Sequence, residues 1–299
     1  MIKTDRQFMF GVVGAGKLGT TLVKELYIQE RLEWVIAKSK SGRDRLEKLD
    51  INRYLIIESI ENLKSLPNMI IIAVPDSAIH NVSVALADRF GKNLKDKYVV
   101  HTSGVLGREI LSPCEEQGAS IASLHPFQSF YFESDNPLPD IRWGIDSTDE
   151  DYPLYASFVQ LLYGFPVRLT DKSTKEKALY HAVASAASNY MTSIIQLANK
   201  IADSANIDSN QFLPPIAKTT LGNNLRGLTD SKSIPLTGPV SRADAGTIKL
   251  HIDAMKDNPE ILRPYCFMGL ATTEMAHNAG ILKDEDYDKI MTIFKEELK

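Results

Sequence analysis

The sequence predicts a doubly wound α/β domain followed by an all-α domain, and three observations support this prediction. Short runs rich in Ile and Val alternate with helical stretches through the first half of the chain, as in a parallel sheet that is buried on both faces. The second half consists instead of long segments with helical periodicity. The chain of 299 residues is long enough for two domains of ordinary size.

Eight apolar runs in the first part of the chain are predicted to be strands. They are FMFGVV (8–13), EWVIA (33–37), YLIIE (54–58), MIIIAV (69–74), KYVVHT (97–102), ASIASLH (119–125), RWGID (142–146) and PVRLT (166–170). After the last run, Ser173 and Glu176 have the spacing of a capping box, and their helix is predicted to continue to about Ala205. We therefore predict an α/β domain over residues 1–168 and an all-helical domain over residues 169–299.

The composition argues against several classes of partner. A net charge of −4 and a pI near 5.9 provide no electrostatic footprint for nucleic acid or an anionic membrane. No apolar run approaches the ~18 residues of a membrane span, and the first residues lack the features of a secretory signal. Cys114 and Cys266 are far apart, and His80, His251 and His277 are scattered. The sequence thus predicts a soluble, cytoplasmic protein with reduced thiols and no bound metal.

Three glycines directly after the first predicted strand have the spacing G-x-G-x-x-G and open a predicted helix. In this motif the first glycine permits a tight turn, and the second lets the backbone approach a pyrophosphate. The third lets the helix pack closely on the strand. The motif therefore predicts a dinucleotide cofactor at the helix N-terminus. The predicted contact residues are Gly14, Ala15, Gly16, Lys17, Leu18 and Gly19.

The end of the second predicted strand indicates which dinucleotide binds. An enzyme that uses NAD usually has Asp or Glu here, to accept a hydrogen bond from the ribose 2′-OH. This chain instead has Lys38, Ser39, Lys40 and Arg43 before its first acid, Asp44. Cations and hydroxyls bind a 2′-phosphate, which a carboxylate would repel. A solvated basic loop is the alternative, but the absence of an acid favours NADP.

Three further strand ends contribute candidate residues, because ligands bind in the crevice outside the carboxyl ends of the strands. Val74 and Pro75 are predicted to border the cofactor, whereas residues 76–77 are predicted to cap the next helix. Ser103 lies in a Ser-Gly turn. This turn either only ends the strand, or it contacts the nicotinamide or its ribose. His125 ends its strand before a proline, and we predict that it contacts the substrate rather than serving as a core histidine.

A polar stripe runs along the helical segment KALYHAVASAASNY (177–190). Lys177, His181, Ser185 and Asn189 follow one another at four-residue intervals, and small apolar residues separate them. Residues four apart share one face of an α-helix. The stripe therefore faces a ligand. Alternatively, its other members make hydrogen bonds that pack the helix, and Lys177 lies in solvent.

Five segments together resemble one known family. They are VVGAGKLGTTL (12–22), HTSGV (101–105), LHPFQSF (124–130), LYHAVASAASNY (179–190) and GPVSRADAGTIKLHI (238–252). The chain is similar over essentially its whole length to a Rossmann-like family whose C-terminal half is a domain of unknown function. That family resembles 6-phosphogluconate dehydrogenase, ketopantoate reductase and pyrroline-5-carboxylate reductase. The resemblance implies a nicotinamide-binding Rossmann domain, a helical domain that forms a homodimer, and a ketopantoate-like substrate.

The polar stripe departs from the β-hydroxyacid dehydrogenases of that superfamily, in which Lys and Asn lie four residues apart and Lys is the acid/base. Here His181 follows Lys177 at that spacing, and Asn189 comes two turns later. With the resemblance, we interpret the stripe as facing a substrate. His181 is then the acid/base, since its proton exchanges near neutral pH. Asn189 orients the substrate or the nicotinamide amide, Ser185 contacts the substrate, and Lys177 attracts an anion at the mouth of the site. The sequence leaves open whether His181, Lys177 or His125 transfers the proton.

The segment LTGPVSRADAGTIKLHI (236–252) supplies the last candidate. Ser241 and Asp244 have capping-box spacing, and Arg242 lies between them. Its guanidinium either clamps a substrate carboxylate in bidentate fashion or pairs with a surface acid.

These residues lead to two functional hypotheses. The first is an NADP-dependent oxidoreductase acting on a small oxo acid, alcohol or imine. The second is a non-catalytic NADP(H)-binding protein that senses redox state or scaffolds a partner, since a fold does not establish a reaction. The hypotheses differ in whether the crevice holds paired proton-transfer groups or only apolar side chains.

Overall fold

The structure is a computed structural model that describes residues 7–131, 138–169, 172–230 and 234–299. The chain forms two compact units, Met1–Ser188 and Asn189–Lys299. The last strand ends at Arg168, where the sequence analysis places the domain boundary. The first compact unit also includes the helix that follows this strand.

An eight-stranded sheet forms the centre of the first unit. Its strands are β1 (Phe10–Val13), β2 (Leu32–Ile36), β3 (Ile56–Ile57), β4 (Met69–Ile72), β5 (Tyr98–His101), β6 (Ser120–Pro126), β7 (Arg142–Asp146) and β8 (Phe165–Arg168). Their spatial order is β3-β2-β1-β4-β5-β6-β7-β8. All eight predicted strands are present, although Thr170 of the last predicted run lies outside the described residues. The α/β prediction for this part of the chain is confirmed.

One pairing differs from the predicted parallel sheet. β6 and β7 are antiparallel, with His125 opposite Gly144, whereas every other pair is parallel. A parallel connection needs a crossover, usually a helix. The described residues between β6 and β7 contain no helix, in agreement with the antiparallel pairing.

Helices cover both faces of the sheet. They are α1 (Lys17–Ile28), α2 (Lys40–Lys48), α3 (Asp76–Phe90), α4 (Ser112–Glu115), α5 (Tyr152–Leu161) and α6 (Thr174–Ala184). Val12 packs in one apolar cluster with Leu22 and Phe158, whereas its neighbour Val13 packs in another with Ile79. Successive side chains of a strand point to opposite faces, so a strand covered on both sides must be apolar throughout. Each such buried side chain contributes roughly 1.5–3 kcal/mol.

The strand order reverses at β1, which lies between β2 and β4. The carboxyl ends of the six parallel strands β1 to β6 meet at one edge of the sheet. In doubly wound sheets, ligands bind at this edge, beside the point of reversal. The fold therefore gathers the loops after β1, β2, β4, β5 and β6 around one crevice.

The second unit is helical. Its helices are α7 (Met191–Ser204), α8 (Ser209–Asp230), α9 (Ala245–Met255), α10 (Pro259–Asn278) and α11 (Asp284–Glu296). Ile248, Cys266, Ile290 and Phe294 lie at the centre of its core. Gly269 is needed there, because a Cβ at this position would overlap the ring of Phe294. Among the described residues, no helix combines the length and the apolar character that crossing a membrane requires.

The long helix predicted from residue 173 is interrupted. Ser173 and Glu176 form the predicted capping box, but Ser185–Tyr190 form a π-helical turn between α6 and α7. The boundary between the two compact units falls inside this turn, after Ser188. A π-helical turn has more residues per turn than an α-helix. The four-residue spacing therefore does not by itself fix the face on which Asn189 lies.

The predicted capping box at Ser241 is not formed. Asp244 is itself the N-cap of α9, and its carboxylate accepts a hydrogen bond from the Thr247 backbone N–H at 3.0 Å. The Ser241 hydroxyl instead donates to the Gly238 carbonyl at 2.9 Å. The helix begins three residues later than predicted, because Gly238 and Ala243 adopt positive φ angles of 101° and 55° in the preceding turn.

Candidate cofactor and active site

The glycine motif forms the tight loop between β1 and α1. Gly14 has a φ of 110°, and a Cβ there would overlap the Ala73 carbonyl oxygen. A Cβ at Gly19 would likewise overlap the Gly14 carbonyl oxygen, so this glycine lets α1 approach the loop. Gly16 is different: it is the N-cap of α1, and a Cβ there would meet no atom within 4 Å. The helix N-terminus thus faces open space, with no acidic residue in its first turn, and suits an anion.

The basic segment after β2 lies beside this loop. A Cβ at Gly42 would be 3.3 Å from the Ala15 Cβ, so the start of α2 approaches the glycine motif closely. Ser39 is the N-cap of α2, and its hydroxyl accepts a hydrogen bond from the Gly42 N–H. The side chains of Lys38 and Lys40 are exposed. This part of the crevice therefore presents two cations and the start of a second helix, without a carboxylate from residue 37 to residue 43.

Two arginines on α2 hold these segments in place. Arg43 donates to the carbonyls of Ala37 and Lys38 at 3.0 and 2.8 Å, and its Nε lies 3.7 Å from a carboxylate oxygen of Glu58. Arg45 donates to the Ala15 carbonyl at 2.6 Å. The sequence analysis missed Arg45. Nothing in the sequence around Arg45 indicates that its side chain contacts the glycine loop, 30 residues earlier.

The loop after β4 completes the wall beside the glycine motif. Val74 packs there, with its Cγ1 3.1 Å from the position of a Cβ on Gly14. Pro75 is exposed and is the N-cap of α3. The prediction that residue 76 or 77 caps this helix is wrong, because α3 begins at Asp76 itself. The Asp76 carboxylate still lies in the first turn, where it interacts favourably with the helix dipole.

The turn after β5 is organised by Ser103 and His101. The Ser103 hydroxyl accepts hydrogen bonds from the N–H groups of Val105 and Leu106. The buried His101 accepts at Nδ1 from the Ser103 N–H, and its Nε2 lies 3.1 Å from the Gly107 carbonyl. Burial lowers the pKa of His101 to about 4, so the neutral ring donates from Nε2. These contacts fix the turn in which Ser103 is predicted to contact the cofactor.

His125 lies in an aromatic cluster at the carboxyl end of β6. Its Nδ1 is 3.2 Å from the Tyr180 hydroxyl, and its ring centroid is 6.0 Å from that of His181. The ring of Phe127 lies 5.0 Å from that of Tyr180. Burial, followed by the charge of His181, lowers the pKa of His125 to about 4. The structure thus brings two of the predicted site histidines together within the first unit. It adds Tyr180, which the sequence analysis passed over.

Lys177 has a different environment from the one predicted. The sequence analysis expects it to attract an anion or, in the alternative, to lie in solvent, but it is buried and forms an ion pair with Asp146 at the end of β7. Arg108 also contacts this carboxylate, with Nη1 3.2 Å from Oδ1. The three side chains line a cavity of about 420 Å³ between α6 and the segment that follows β5. Sequence reasoning missed Asp146 and Arg108, since both are distant from Lys177 in the chain.

The other predicted substrate residues lie at or beyond the π-helical turn. Ser185 begins the turn, and Asn189 accepts a hydrogen bond at its backbone carbonyl from Ser193. Arg242 is exposed in the loop before α9 and lowers the pKa of Asp244, after the larger effect of hydrogen bonds from Thr247. Their roles toward a substrate stay predictions. Within the described ranges, no three His, Cys, Asp or Glu side chains are arranged to hold a metal ion.

Two family models match the chain. Residues 2–126 match a Rossmann-like domain, and residues 141–272 match a domain of unknown function, DUF2520. The two matches agree with the resemblance inferred from the five sequence segments. No curated protein is significantly similar to the sequence.

Several solved structures share the fold. A candidate NADP oxidoreductase from Bacteroides fragilis has a TM-score of 0.72 at 20% identity, covering 88% of this chain and 96% of that one. A reductive aminase from Aspergillus terreus, in complex with NADPH and ethyl-5-oxohexanoate, has a TM-score of 0.64 at 14% identity, covering 96% and 99%. A Thermotoga maritima protein has a TM-score of 0.57 at 21% identity, covering 97% and 98%. At these identities the likeness is one of fold.

Proposed function

The chain joins a Rossmann-like domain to a DUF2520 domain, and from this premise we propose that it is an NADP-dependent oxidoreductase. Its substrate class is a small oxo acid or imine, of which a ketopantoate-like compound is one member. The observation that carries the proposal is the pairing of an open glycine loop with a basic, carboxylate-free segment after β2.

The residues at the carboxyl edge of the sheet fit an NADP molecule. The glycine loop supplies N–H groups and open space at Gly16 for a pyrophosphate. Lys38, Ser39 and Lys40, with Arg43 supporting their backbone, suit a 2′-phosphate. Residues 74–75 and Ser103 border the nicotinamide side of the crevice. When bound, the nicotinamide supplies the hydride.

The polar side chains of the first unit support a catalytic role over a purely binding one. His181 is the proposed acid/base, and the neutral His125 beside it is proposed to contact the substrate. Contacts of Ser185, Asn189 and Arg242 with the substrate stay predictions from the sequence. Lys177 fixes the position of α6, which carries His181, through its ion pair with Asp146. A sensor or scaffold would not need two histidine rings with centroids 6.0 Å apart at this edge of the sheet.

Structures of the same fold support the substrate class. The Aspergillus terreus reductive aminase was solved with NADPH and ethyl-5-oxohexanoate, and an imine reductase from that organism with NADPH4 and dibenz[c,e]azepine. The first organic ligand is a ketone and the second contains an imine. A carbonyl or imine carbon that accepts hydride is therefore the reacting group that we propose for this chain.

A substrate screen tests the proposed function. Oxo acids, simple ketones and cyclic imines are mixed with NADPH, and turnover is followed by the loss of nicotinamide absorbance. We expect NADPH oxidation with at least one class, and a loss of turnover in His181→Ala that exceeds any loss of NADPH binding. Tight NADPH binding without turnover of any compound would favour the non-catalytic alternative.

We also propose that a second copy of this chain packs against the helical unit. Large apolar side chains are exposed along α7, α8 and α10, among them Ile194, Phe212, Ile216 and Phe267. α7 packs against both α8 and α10, and exposed apolar surface on neighbouring helices marks an interaction site. Sedimentation analysis should show a dimer, and Phe212→Asp combined with Ile216→Asp should shift it to a monomer. A wild-type monomer at micromolar concentration would refute this proposal.

A further inference from the structure

Tyr180 has no role in the proposed function, yet its hydroxyl faces the ring nitrogen of a proposed substrate residue. The hydroxyl lies 3.2 Å from His125 Nδ1. The two rings meet edge to face, with centroids 5.5 Å apart, and Phe127 packs against the tyrosine ring. Tyr180 is on α6 and His125 is on β6. The contact therefore positions the imidazole relative to the helix that carries His181.

The protonation of both partners allows the phenol to donate to the imidazole. Burial raises the pKa of Tyr180 to about 12, so the phenol keeps its proton at neutral pH. Burial and the neighbouring His181 lower the pKa of His125 to about 4, so the imidazole is neutral and has one acceptor nitrogen. Within the described part of the chain, His125 is the hydrogen-bond partner of the Tyr180 hydroxyl. A phenol that donates to Nδ1 leaves the ring proton on Nε2.

The Nε2 side of the ring is shaped by Gly104. A Cβ on Gly104 would lie 2.8 Å from Nε2 and 2.9 Å from both Cδ2 and Cε1. These nearly equal distances put that position over the face of the ring, not in line with the Nε2–H bond. Glycine thus lets the turn after β5 lie flat against the face of the imidazole. Nε2 has no hydrogen-bond partner among the described residues.

We propose that Tyr180 is a positioning residue that holds His125 in its Nε2–H tautomer, so that His125 donates a hydrogen bond to the substrate. The acceptor is the carbonyl oxygen or imine nitrogen whose carbon receives the hydride, and this substrate assignment rests on the proposed function. Negative charge builds on that atom as the hydride arrives, and a donor that is already oriented stabilises it. His125 keeps its proton in this role, and His181 remains the group that transfers one.

Nitrogen NMR of the histidine side chains tests the tautomer without any substrate. In ¹⁵N-labelled full-length protein, with His125→Gln used for assignment, His125 should show protonated Nε2 and unprotonated Nδ1 at neutral pH. Tyr180→Phe removes only the hydroxyl and keeps the ring against Phe127. In this variant the two tautomers should become mixed. Tyr163→Phe is the matched control, because Tyr163 is an exposed tyrosine of the same unit, and it should leave the His125 signals unchanged.

Two results would overturn the proposal: a wild-type His125 protonated at Nδ1, or a tautomer that Tyr180→Phe leaves unaltered. The wild-type spectrum decides the first point even if the variant does not fold. Once a substrate is known, Tyr180→Phe should lower kcat about three- to tenfold with little change in KM, the effect of losing one hydrogen bond. An intact Nε2–H tautomer in a protein without NADPH-dependent turnover would instead count against the proposed function.

Discussion

Lys177 on α6 and Asp146 on β7 form a buried ion pair, and each side chain is only 8% exposed. Arg108 contacts the same carboxylate from the segment that follows β5. Removing charges from water is costly, and this arrangement compensates by giving one carboxylate two cationic partners. The ion pair ties the helix that carries Tyr180 and His181 to the strand next to His125. The ion pair should therefore contribute to the free energy of unfolding.

Asp146→Leu should destabilise the fold strongly, because it leaves Lys177 and Arg108 buried or half-buried without their counter-charge. We expect a loss of about 3–5 kcal/mol in the free energy of unfolding, measured by urea denaturation. Asp149→Leu is the control: it removes one member of an exposed pair with Arg168, which should contribute less than about 1 kcal/mol. Equal effects of the two changes would show that the Asp146 pair is not a structural tie.

Two alanine substitutions in the glycine loop should affect different properties, one the stability of the fold and the other the affinity for NADPH. Gly14→Ala places a Cβ against the Ala73 carbonyl at a φ of 110°, so it should lower the melting temperature markedly. Gly16→Ala meets no protein atom within 4 Å, so it should fold normally. Its methyl group would occupy the space that we assign to the pyrophosphate, and NADPH affinity should fall at least about tenfold. If Gly16→Ala bound NADPH like the wild type, the cofactor would not lie at this loop.

His181→Ala tests the proposed proton donor. NADPH affinity should change little, while turnover should fall by about 10² to 10⁴, the usual contribution of a positioned acid/base group. Asn189→Ala should cost less, partly through a higher KM. If His181 only packs, the substitution would lower thermal stability and leave activity per folded molecule unchanged. Kinetics and melting measured on the same preparation distinguish these outcomes, and an unchanged turnover would point to His125.

The buried His101 should make stability depend on pH below neutrality. Its pKa is about 4 in the folded protein, chiefly because of burial, against an ordinary 6.5. Between these values the unfolded chain binds more protons, so the free energy of unfolding falls as pH drops from 6.5 toward 4. Each pKa unit corresponds to about 1.4 kcal/mol. His101→Gln keeps a donor for Gly107 and removes the titrating group.

The comparison of His101→Gln with the wild type isolates this histidine from the carboxylates and from His125, which titrate in both proteins. Urea denaturation at neutral pH and at about pH 5 should show a smaller loss of stability in the variant. Identical losses would mean that His101 is protonated as easily in the folded protein as in the unfolded chain.

The features that the sequence predicted well are set by local patterns. Doubly covered strands require continuous Ile and Val, as in Met69–Ile72, and a loop with positive φ followed by a closely packed helix requires Gly14 and Gly19. Such constraints act within a few residues, so they are visible without knowing what lies opposite. The capping box of Ser173 and Glu176 is of the same kind.

The features that the sequence did not reveal depend on distant partners. Nothing near Lys177 indicates that its counter-ion is Asp146, 31 residues earlier. Tyr180 looked like one more side chain of a small apolar helix, and its partner His125 is 55 residues away. The π-helical turn at Ser185–Tyr190 likewise has no local signature that the spacing of polar residues could reveal.

Cofactor preference is the most direct test of the central claim, that this protein is built for NADP. Isothermal titration of the wild type should give an affinity for NADPH at least about tenfold above that for NADH, because charge-assisted contacts to the 2′-phosphate contribute roughly 1.5–3 kcal/mol. Lys38→Ala combined with Lys40→Ala should remove most of this difference. Lys24→Ala with Lys64→Ala, which removes two exposed lysines elsewhere on the same unit, should preserve it. Equal affinities of the wild type for NADPH and NADH would contradict the account.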